Sequence, residues 1–212
     1  MEKLINHASK LVLPLLIMLT TVTSPYANDS LKVMLYGDSL MAGYGLTQSD
    51  NLATVLRYKF ASSDIAVSII NASVSGNTTS NGLSRVEWSM GDRPDIVVLC
   101  LGANDMLRGI DPNNTKDNLE SIITTIKQSG AQVILAGMRS PDSMGSTYQH
   151  KFDQIYPYLA DKHGLVFMPF LLEGVALNKD HLLDDNKHPN AAGVIIIADN
   201  LYPYILQNIK NN

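Results

Sequence analysis

The fold class this sequence predicts is α/β: a three-layer α/β/α sandwich around a mainly five-stranded parallel sheet. Three observations predict it. Five short runs are apolar throughout rather than at every second residue, the pattern of strands buried on both faces. Segments with apolar residues at helical spacing alternate with those runs. The chain has 212 residues, 45% hydrophobic and 17% charged, enough for one well-buried core and short for two.

The strand runs are Lys32 to Tyr36, Ile65 to Ile70, Ile96 to Leu101, Val133 to Gly137 and Leu165 to Pro169, each bounded by polar or turn residues. After the first, Leu52, Val55, Leu56 and Phe60 make one apolar helix face. Leu119, Ile122, Ile123 and Ile126 make a second, before the fourth strand, and Phe152, Ile155 and Leu159 make a third, before the fifth. Beyond Pro189, the residues Ala191, Val194, Ile195, Ala198, Leu201 and Ile205 predict a closing helix, which Pro203 is placed to kink or end. Arg139 to Thr147, rich in Ser, Gly and Pro, reads as the longest loop, either a plain connection or a lid.

Residues 1–27 read as a secretory signal, leaving a single domain over 28–212. Lys3 and Lys10 precede an apolar stretch from Leu11 to about Val22, and small and turn-forming residues follow up to Ala27. The stretch is shorter than the roughly 20 residues a membrane-spanning helix needs, so no stable membrane insertion is expected. A periplasmic or secreted protein is. Loss of Glu2, Lys3 and Lys10 takes the 16 basic and 20 acidic residues to 14 and 19. Such a surface attracts neither nucleic acid nor anionic membrane by long-range charge. Cys100, alone in the chain and inside an apolar strand, reads as a packing residue that can form no internal disulfide.

In doubly covered parallel sheets, ligands gather at the carboxyl ends of the strands. That rim receives Gly37-Asp38-Ser39-Leu40 after the first strand, Asn71 to Thr79 after the second, Gly102 to Asp105 after the third and Arg139 after the fourth. Gly37 is expected to let the chain turn off the strand, and Ser39 to stand at its end near a helix N-terminus. A serine hydroxyl becomes a useful nucleophile when an imidazole takes its proton, and the imidazole works best when a carboxylate fixes its tautomer. His188 is the candidate base. His7 falls in the signal segment, while His150, His163 and His181 sit in polar surroundings and read as solvated. Asp185 precedes His188 by about one turn and can reach its Nδ1; Asp184 is a rival that the residues alone do not exclude.

Four segments in order, Gly37-Asp38-Ser39-Leu40, Asn71-Ala72-Ser73-Val74-Ser75-Gly76-Asn77-Thr78, Leu101-Gly102-Ala103-Asn104-Asp105 and Asp185-Asn186-Lys187-His188-Pro189, resemble the blocks of the GDSL or SGNH hydrolases. Within that family the chain is most similar to the periplasmic multifunctional acyl thioesterase, lysophospholipase and arylesterase group. The resemblance implies a Ser39, Asp185, His188 triad, with DxxH spacing selecting Asp185. It also implies an oxyanion hole made by the backbone N–H groups of Ser39 and Gly76 and the side-chain amide of Asn104. No metal or cofactor is implied. The implied substrates are small molecules: acyl thioesters, lysophospholipids and small aryl or alkyl esters.

Met106, Leu107, Ile110 and Pro141 flank the rim and are candidates to line an acyl groove; Arg108 is a candidate for a polar or anionic headgroup. No GxSxG elbow, HExxH, GxxxxGK[ST] or GxGxxG is present to support a competing chemistry. A carbohydrate O-acetyl esterase would share the four blocks, and a noncatalytic envelope-binding protein would share the fold. With no obvious exposed apolar stripe, a monomer is expected.

Overall fold

The computed structural model of the protein describes residues 30–210. The signal segment, residues 1–27, lies outside them. In chain order, β1 (Leu31–Gly37) leads through α1 (Ser39–Ala42) and α2 (Leu52–Ala61) to β2 (Val67–Asn71), and α3 (Thr79–Ser89) leads to β3 (Ile96–Cys100). Then α4 (Ala103–Leu107) and α5 (Pro112–Gln128) precede β4 (Gln132–Ala136), α6 (Ser146–Asp153) and α7 (Ile155–His163) precede β5 (Val166–Met168), and α8 (Ala191–Lys210) closes the chain. All five expected strands are present, with ends within two residues of the expected ones.

The sheet is parallel throughout, in the order β2-β1-β3-β4-β5. The chain steps one way from β1 to β2 and the other way for every later strand. Since parallel crossovers are right-handed, this reversal puts α2 on one face of the sheet and α3, α5 and α7 on the other. The packing agrees: α2 lies against α8, while α3 packs on α5 and α5 on α7. The sandwich therefore has its three layers, and β1 and β3 flank the point where the winding reverses. Pairing of Gly37 with Cys100 ends those two strands level.

Local chemistry explains most helix boundaries. Asn51 caps α2 by accepting from Thr54 N–H at 2.9 Å, and Asp111 caps α5 just ahead of Pro112, whose missing N–H falls where no partner is needed. Leu119, Ile122, Ile123 and Ile126 are fully buried along one face of α5, each stabilising the fold by roughly 1.5–3 kcal/mol relative to exposure. The face Phe152, Ile155, Leu159 is buried as expected but belongs to two helices. Pro157 cannot donate to the carbonyl of Asp153, so α6 stops there and α7 begins after Gln154.

Three expectations change. The closing helix does not end at Pro203, one of the two outcomes expected of that proline: α8 runs on to Lys210, with Leu201 and Ile205 on either side of it both buried. Arg139 to Thr147 is not the longest loop, because a 3-10 turn at Asp142–Met144 and the start of α6 at Ser146 occupy it. The longest irregular segment is 169–190, interrupted only by a 3-10 turn at Lys179–His181. And α3, which no apolar periodicity announced, buries Thr79, Gly82, Val86 and Ser89, a face made mostly of small and polar residues.

Glycines mark where backbones meet closely. A Cβ at Gly193 of α8 would run into the backbone carbonyl of His181, which cannot swing aside. Gly193→Ala should therefore destabilise the protein by about 1–3 kcal/mol, whereas Gly91→Ala, which meets open space, should stay within about 0.5 kcal/mol. Denaturant midpoints of the two variants check this; equal midpoints would contradict the packing account.

Candidate active site

Gly37 is the last residue of β1, and its need for glycine is steric rather than conformational. A Cβ there would sit 2.6 Å from the Cys100 carbonyl and 2.7 Å from Met41 Sδ. The turn expected of Gly37 is made instead by Asp38, the N-cap of α1 with φ −108 and ψ −150, whose carboxyl accepts from Leu40 N–H at 3.1 Å. Ser39 is then the first residue of α1, at the carboxyl end of β1.

His188 reaches the same place from the other end of the chain. Its Nε2 lies 2.8 Å from Ser39 Oγ, and its Nδ1 lies 2.5 Å from Asp185 Oδ2. The other carboxylate oxygen of Asp185 accepts from the backbone N–H of Lys187 at 2.9 Å and of His188 at 3.0 Å. Asn186 makes this tight return possible by taking the left-handed conformation, φ 55, that asparagine tolerates well. Leu182 bridges Pro189 in antiparallel fashion, and Asn190 ties the loop to α8 by accepting from Gly193 N–H while donating to the Asp180 and Leu182 carbonyls. The rival Asp184 is exposed; its backbone carbonyl, not its carboxyl, is the group in contact, accepting from Asn186.

The loop after β2 comes up beside Ser39. Val74 to Asn77 is a turn closed by Asn77 N–H donating to Val74 O at 3.2 Å, with Gly76 at φ 80 in the position that favours glycine. A Cβ on Gly76 would meet nothing within 4 Å, so the positive φ is what calls for glycine here. The backbone N–H groups of Ser39 and Gly76 have no acceptor among the described residues. From the short helix α4 after β3, Asn104 Nδ2 donates to the Asn77 carbonyl at 3.1 Å and makes a longer 3.4 Å contact with Asp38 Oδ2. Ser39, Gly76, Asn104, Asp185 and His188 are thus brought to one rim.

Two aspartates at this rim stand in opposite environments. Burial pushes the Asp38 carboxyl up to about 6, against the opposing pull of its hydrogen bonds from Leu40 and Asn104 and of the His188 charge. Asp185 is held down at about 2, first by the His188 backbone N–H and then by the imidazole and Lys187 N–H. Its side chain is 37% exposed, so hydrogen bonding outweighs desolvation. Asp185 remains a carboxylate at any ordinary pH, able to hold an imidazole whose Nε2 faces a serine hydroxyl. This connectivity lets the hydroxyl give up its proton as its oxygen attacks.

The structure separates the flanking candidates. Met106 is 6% exposed and packed in the core, which removes it from any groove lining. The Arg108 guanidinium is engaged within the chain, donating to the Gly76 carbonyl at 3.1 Å, rather than standing free for a headgroup. Leu107 is 57% exposed, Ile110 is half-buried, and Pro141 is exposed. Beside them a cavity of about 620 Å³ is lined by Gly109, Asp111, Met144, Thr147 and Tyr148. His163 is half-buried rather than solvated, 3.4 Å from Glu120.

Several residues at the rim were given no role by the sequence. The Tyr44 ring lies 4.4 Å from that of His188, centroid to centroid. Asp105 is buried and bonds the start of α3. Arg85 reaches the backbone of Gly37 and Ala72. One signal was available for Arg85: it is the first charged residue after Asp64, in a long neutral stretch. Among the described residues no cluster of His, Cys, Asp and Glu is arranged to hold a metal ion, and no helix is long and apolar enough to cross a membrane.

Residues 35–194 match the family model described as the GDSL-like lipase/acylhydrolase family. The chain is 38% identical over 177 residues to an arylesterase of Vibrio mimicus, covering 83% of this chain and 88% of that protein. It is 34% identical over 195 residues to thioesterase 1/protease 1/lysophospholipase L1 of Escherichia coli strain K12, covering 92% and 91%. Among solved structures, the psychrotrophic esterase EstA from Pseudoalteromonas sp., inhibited by monoethylphosphonate, superposes with a TM-score of 0.81 at 28% identity, over 85% of this chain and 99% of that one. With the family model spanning the sheet and the serine rim, and relatives above 30% identity along most of its length, this chain belongs to the GDSL-like lipase/acylhydrolase family and is an ester hydrolase of the GDSL type.

Proposed function

We propose that this protein is an exported serine hydrolase that cleaves carboxylic ester and thioester bonds through an acyl-enzyme on Ser39. The observation that carries the reading is the unbroken relay from Ser39 Oγ to His188 Nε2 at 2.8 Å and from His188 Nδ1 to Asp185 Oδ2 at 2.5 Å. Ser39 Oγ attacks the acyl carbonyl carbon as its proton passes to His188 Nε2. The tetrahedral oxyanion accepts hydrogen bonds from the Ser39 and Gly76 backbone N–H groups and from Asn104 Nδ2. One Asn104 hydrogen is held by the Asn77 carbonyl; the other, in only a 3.4 Å contact with Asp38, is available to the oxyanion. Collapse expels the alcohol or thiol, which takes the proton from His188, and water repeats the sequence to release the acid. One oxyanion donor is worth roughly 3 kcal/mol of transition-state stabilisation.

The substrate class follows the names of the relatives: aryl esters, acyl thioesters and lysophospholipids. The acyl chain runs from the Asn104 side over Leu107 and Ile110 toward Pro141, beside the cavity at Met144 and Tyr148. Residues 1–27 act as the export signal, residues 28–212 as the hydrolase domain, and the mature enzyme works as a monomer in the periplasm or outside the cell.

Ser39→Ala should lower ester hydrolysis by roughly 10⁴-fold or more with the melting temperature little changed; substantial residual turnover would remove Ser39 as nucleophile. Asp185→Asn should cost about 10²- to 10⁴-fold in kcat, and Asp184→Asn within about twofold. The reverse pattern would reassign the orienting acid. In a chain-length series of nitrophenyl esters, rates should rise beyond acetate. A strong acetate preference would favour a carbohydrate O-acetyl esterase, and failure of the wild type to label with a fluorophosphonate would favour a noncatalytic binding protein.

At neutral pH the ionised Asp38 carboxylate helps to orient Asn104 at some expense in stability. Its folded pKa, about 6, lies above the ordinary 3.8, so the folded state binds this proton more tightly than the unfolded state. The penalty is full above about pH 6 and is relieved as pH falls from there toward 3.8. Relative to Asp38→Asn, the wild type should gain on the order of 1 kcal/mol between about pH 7 and pH 5. Denaturant unfolding of both proteins at each pH measures the difference; an unchanged gap would contradict the raised carboxyl.

A further inference from the structure

Arg85 projects from α3 into the seam between the end of β1 and the loop after β2, and its planar guanidinium is spent on three acceptors there at once. Nε donates to Asn77 Oδ1 at 2.7 Å, Nη1 to the Ala72 carbonyl at 2.6 Å and Nη2 to the Gly37 carbonyl at 3.1 Å. The guanidinium carbon lies 4.1 Å from the centre of the buried Tyr36 ring, whose hydroxyl donates to the Gly82 carbonyl on the same helix at 2.6 Å. The side chain is half-buried, and among the described residues no carboxylate pairs with it. A desolvated cation held by neutral acceptors alone is an expensive way to tie a fold together. Its acceptors say what it secures.

Two of the three acceptors stand beside proposed oxyanion donors, and the third anchors the loop that carries one. Gly37 is two residues before Ser39, and its carbonyl also accepts from Val74 N–H, which starts the turn carrying Gly76. Ala72 is the first residue past β2, where that loop leaves the sheet. Asn77 follows Gly76, and its backbone carbonyl accepts from Asn104 Nδ2. The fork of a guanidinium fixes the directions of its acceptors relative to one another; a lysine ammonium, a single flexible point, does not.

We propose that Arg85 is a positioning residue for the oxyanion hole, setting the spacing of the Ser39 N–H, the Gly76 N–H and the Asn104 amide from the far side of the loops. The inference rests on the serine-hydrolase reading above. Arg85 touches no substrate. It acts by holding Gly37, Ala72 and Asn77 in register, so its loss is felt where the transition state differs from the bound ester, in kcat rather than in KM.

The test compares Arg85→Ala, Arg85→Lys, Asn77→Ala and the Arg85→Lys/Asn77→Ala double variant in the mature enzyme, with nitrophenyl butyrate as substrate and a fluorophosphonate as probe of Ser39. Displacement of donors by about an ångström costs on the order of 100-fold, so Arg85→Ala should lose about that much kcat with KM within about threefold. Added methylguanidinium should restore part of the rate in Arg85→Ala and none in the lysine variant. Arg85→Lys and Asn77→Ala should each lose kcat, and the double variant no more than the worse single one. Should Arg85→Ala not fold, those three variants decide alone. Unchanged kcat, a rise in KM alone, or fully additive losses would overturn the proposal. Mapping the probe on the wild type separates the two readings: no label on Ser39 defeats the serine-hydrolase reading itself, whereas normal labelling with fully active Arg85 variants defeats only the role of Arg85.

Discussion

The carboxyl group of Asp105 is the contact on which the rest of this site depends. It is 1% exposed, in the short helix α4 that follows β3, and takes the backbone N–H of Thr79 at 2.8 Å and the Thr79 hydroxyl at 2.5 Å. Asn118 of α5 adds a hydrogen bond to the same hydroxyl. A buried carboxyl is tolerated only when its oxygens are satisfied, and the free N–H groups at the start of a helix are suited to that. The consequence is geometric. The start of α3, and with it the turn holding Gly76 and Asn77, is pinned to the short helix holding Asn104. Two loops that leave different strands thus share one reference point, and a polar network of this kind has a single well-satisfied arrangement.

Around that point the site is half sheet and half loop. Ser39 and Asn104 follow strands whose ends are level through the Gly37–Cys100 pairing, so the register of a buried parallel sheet sets their heights. Asp185 and His188 come from the long irregular segment 169–190, which has no such register. Its order comes from the Leu182–Pro189 bridge, the Asn190 cap on α8 and the close approach of Gly193 to the His181 carbonyl. Ser39 and Asn104 stand directly after buried strands; the His188 imidazole stands on a loop laced to a helix. Tyr44, whose ring lies tilted against that of His188, brings the two halves into contact.

The two rim aspartates show how environment divides one residue type into two tasks. Asp185, open to solvent and bonded by three donors, keeps its charge at any ordinary pH and can orient an imidazole continuously. Asp38, buried beneath Ser39, carries a charge that desolvation opposes and that only Leu40 N–H, Asn104 and the nearby His188 offset. Stability is given up there for the orientation of a neighbouring amide. Such local cost, set against a large apolar core around β1 and β3, is common at functional sites.

Five strands, the helical faces of α2, α5 and α8 and the α/β/α class were legible in the sequence, because apolar runs and helical periodicity record burial, although the edge strands β2 and β5 are only partly buried. The GDSL-type motifs were legible for a related reason: a glycine, serine or asparagine needed at a strand end appears at that strand's end in the chain. By itself, then, the sequence determined the layers and which residues arrive at the rim. Helix α3 escaped because its buried face is Thr79, Gly82, Val86 and Ser89, small enough for close packing and too polar to show a period. Pro203 does not end α8, because side-chain burial on both sides outweighs one lost backbone hydrogen bond. Only the tertiary structure decided that Met106 packs inward while Arg108 binds the Gly76 carbonyl, and that Arg85 and Asp105 join segments far apart in the chain. Hydrogen bonds between distant loops depend on direction and distance in space, and spacing along a chain carries neither.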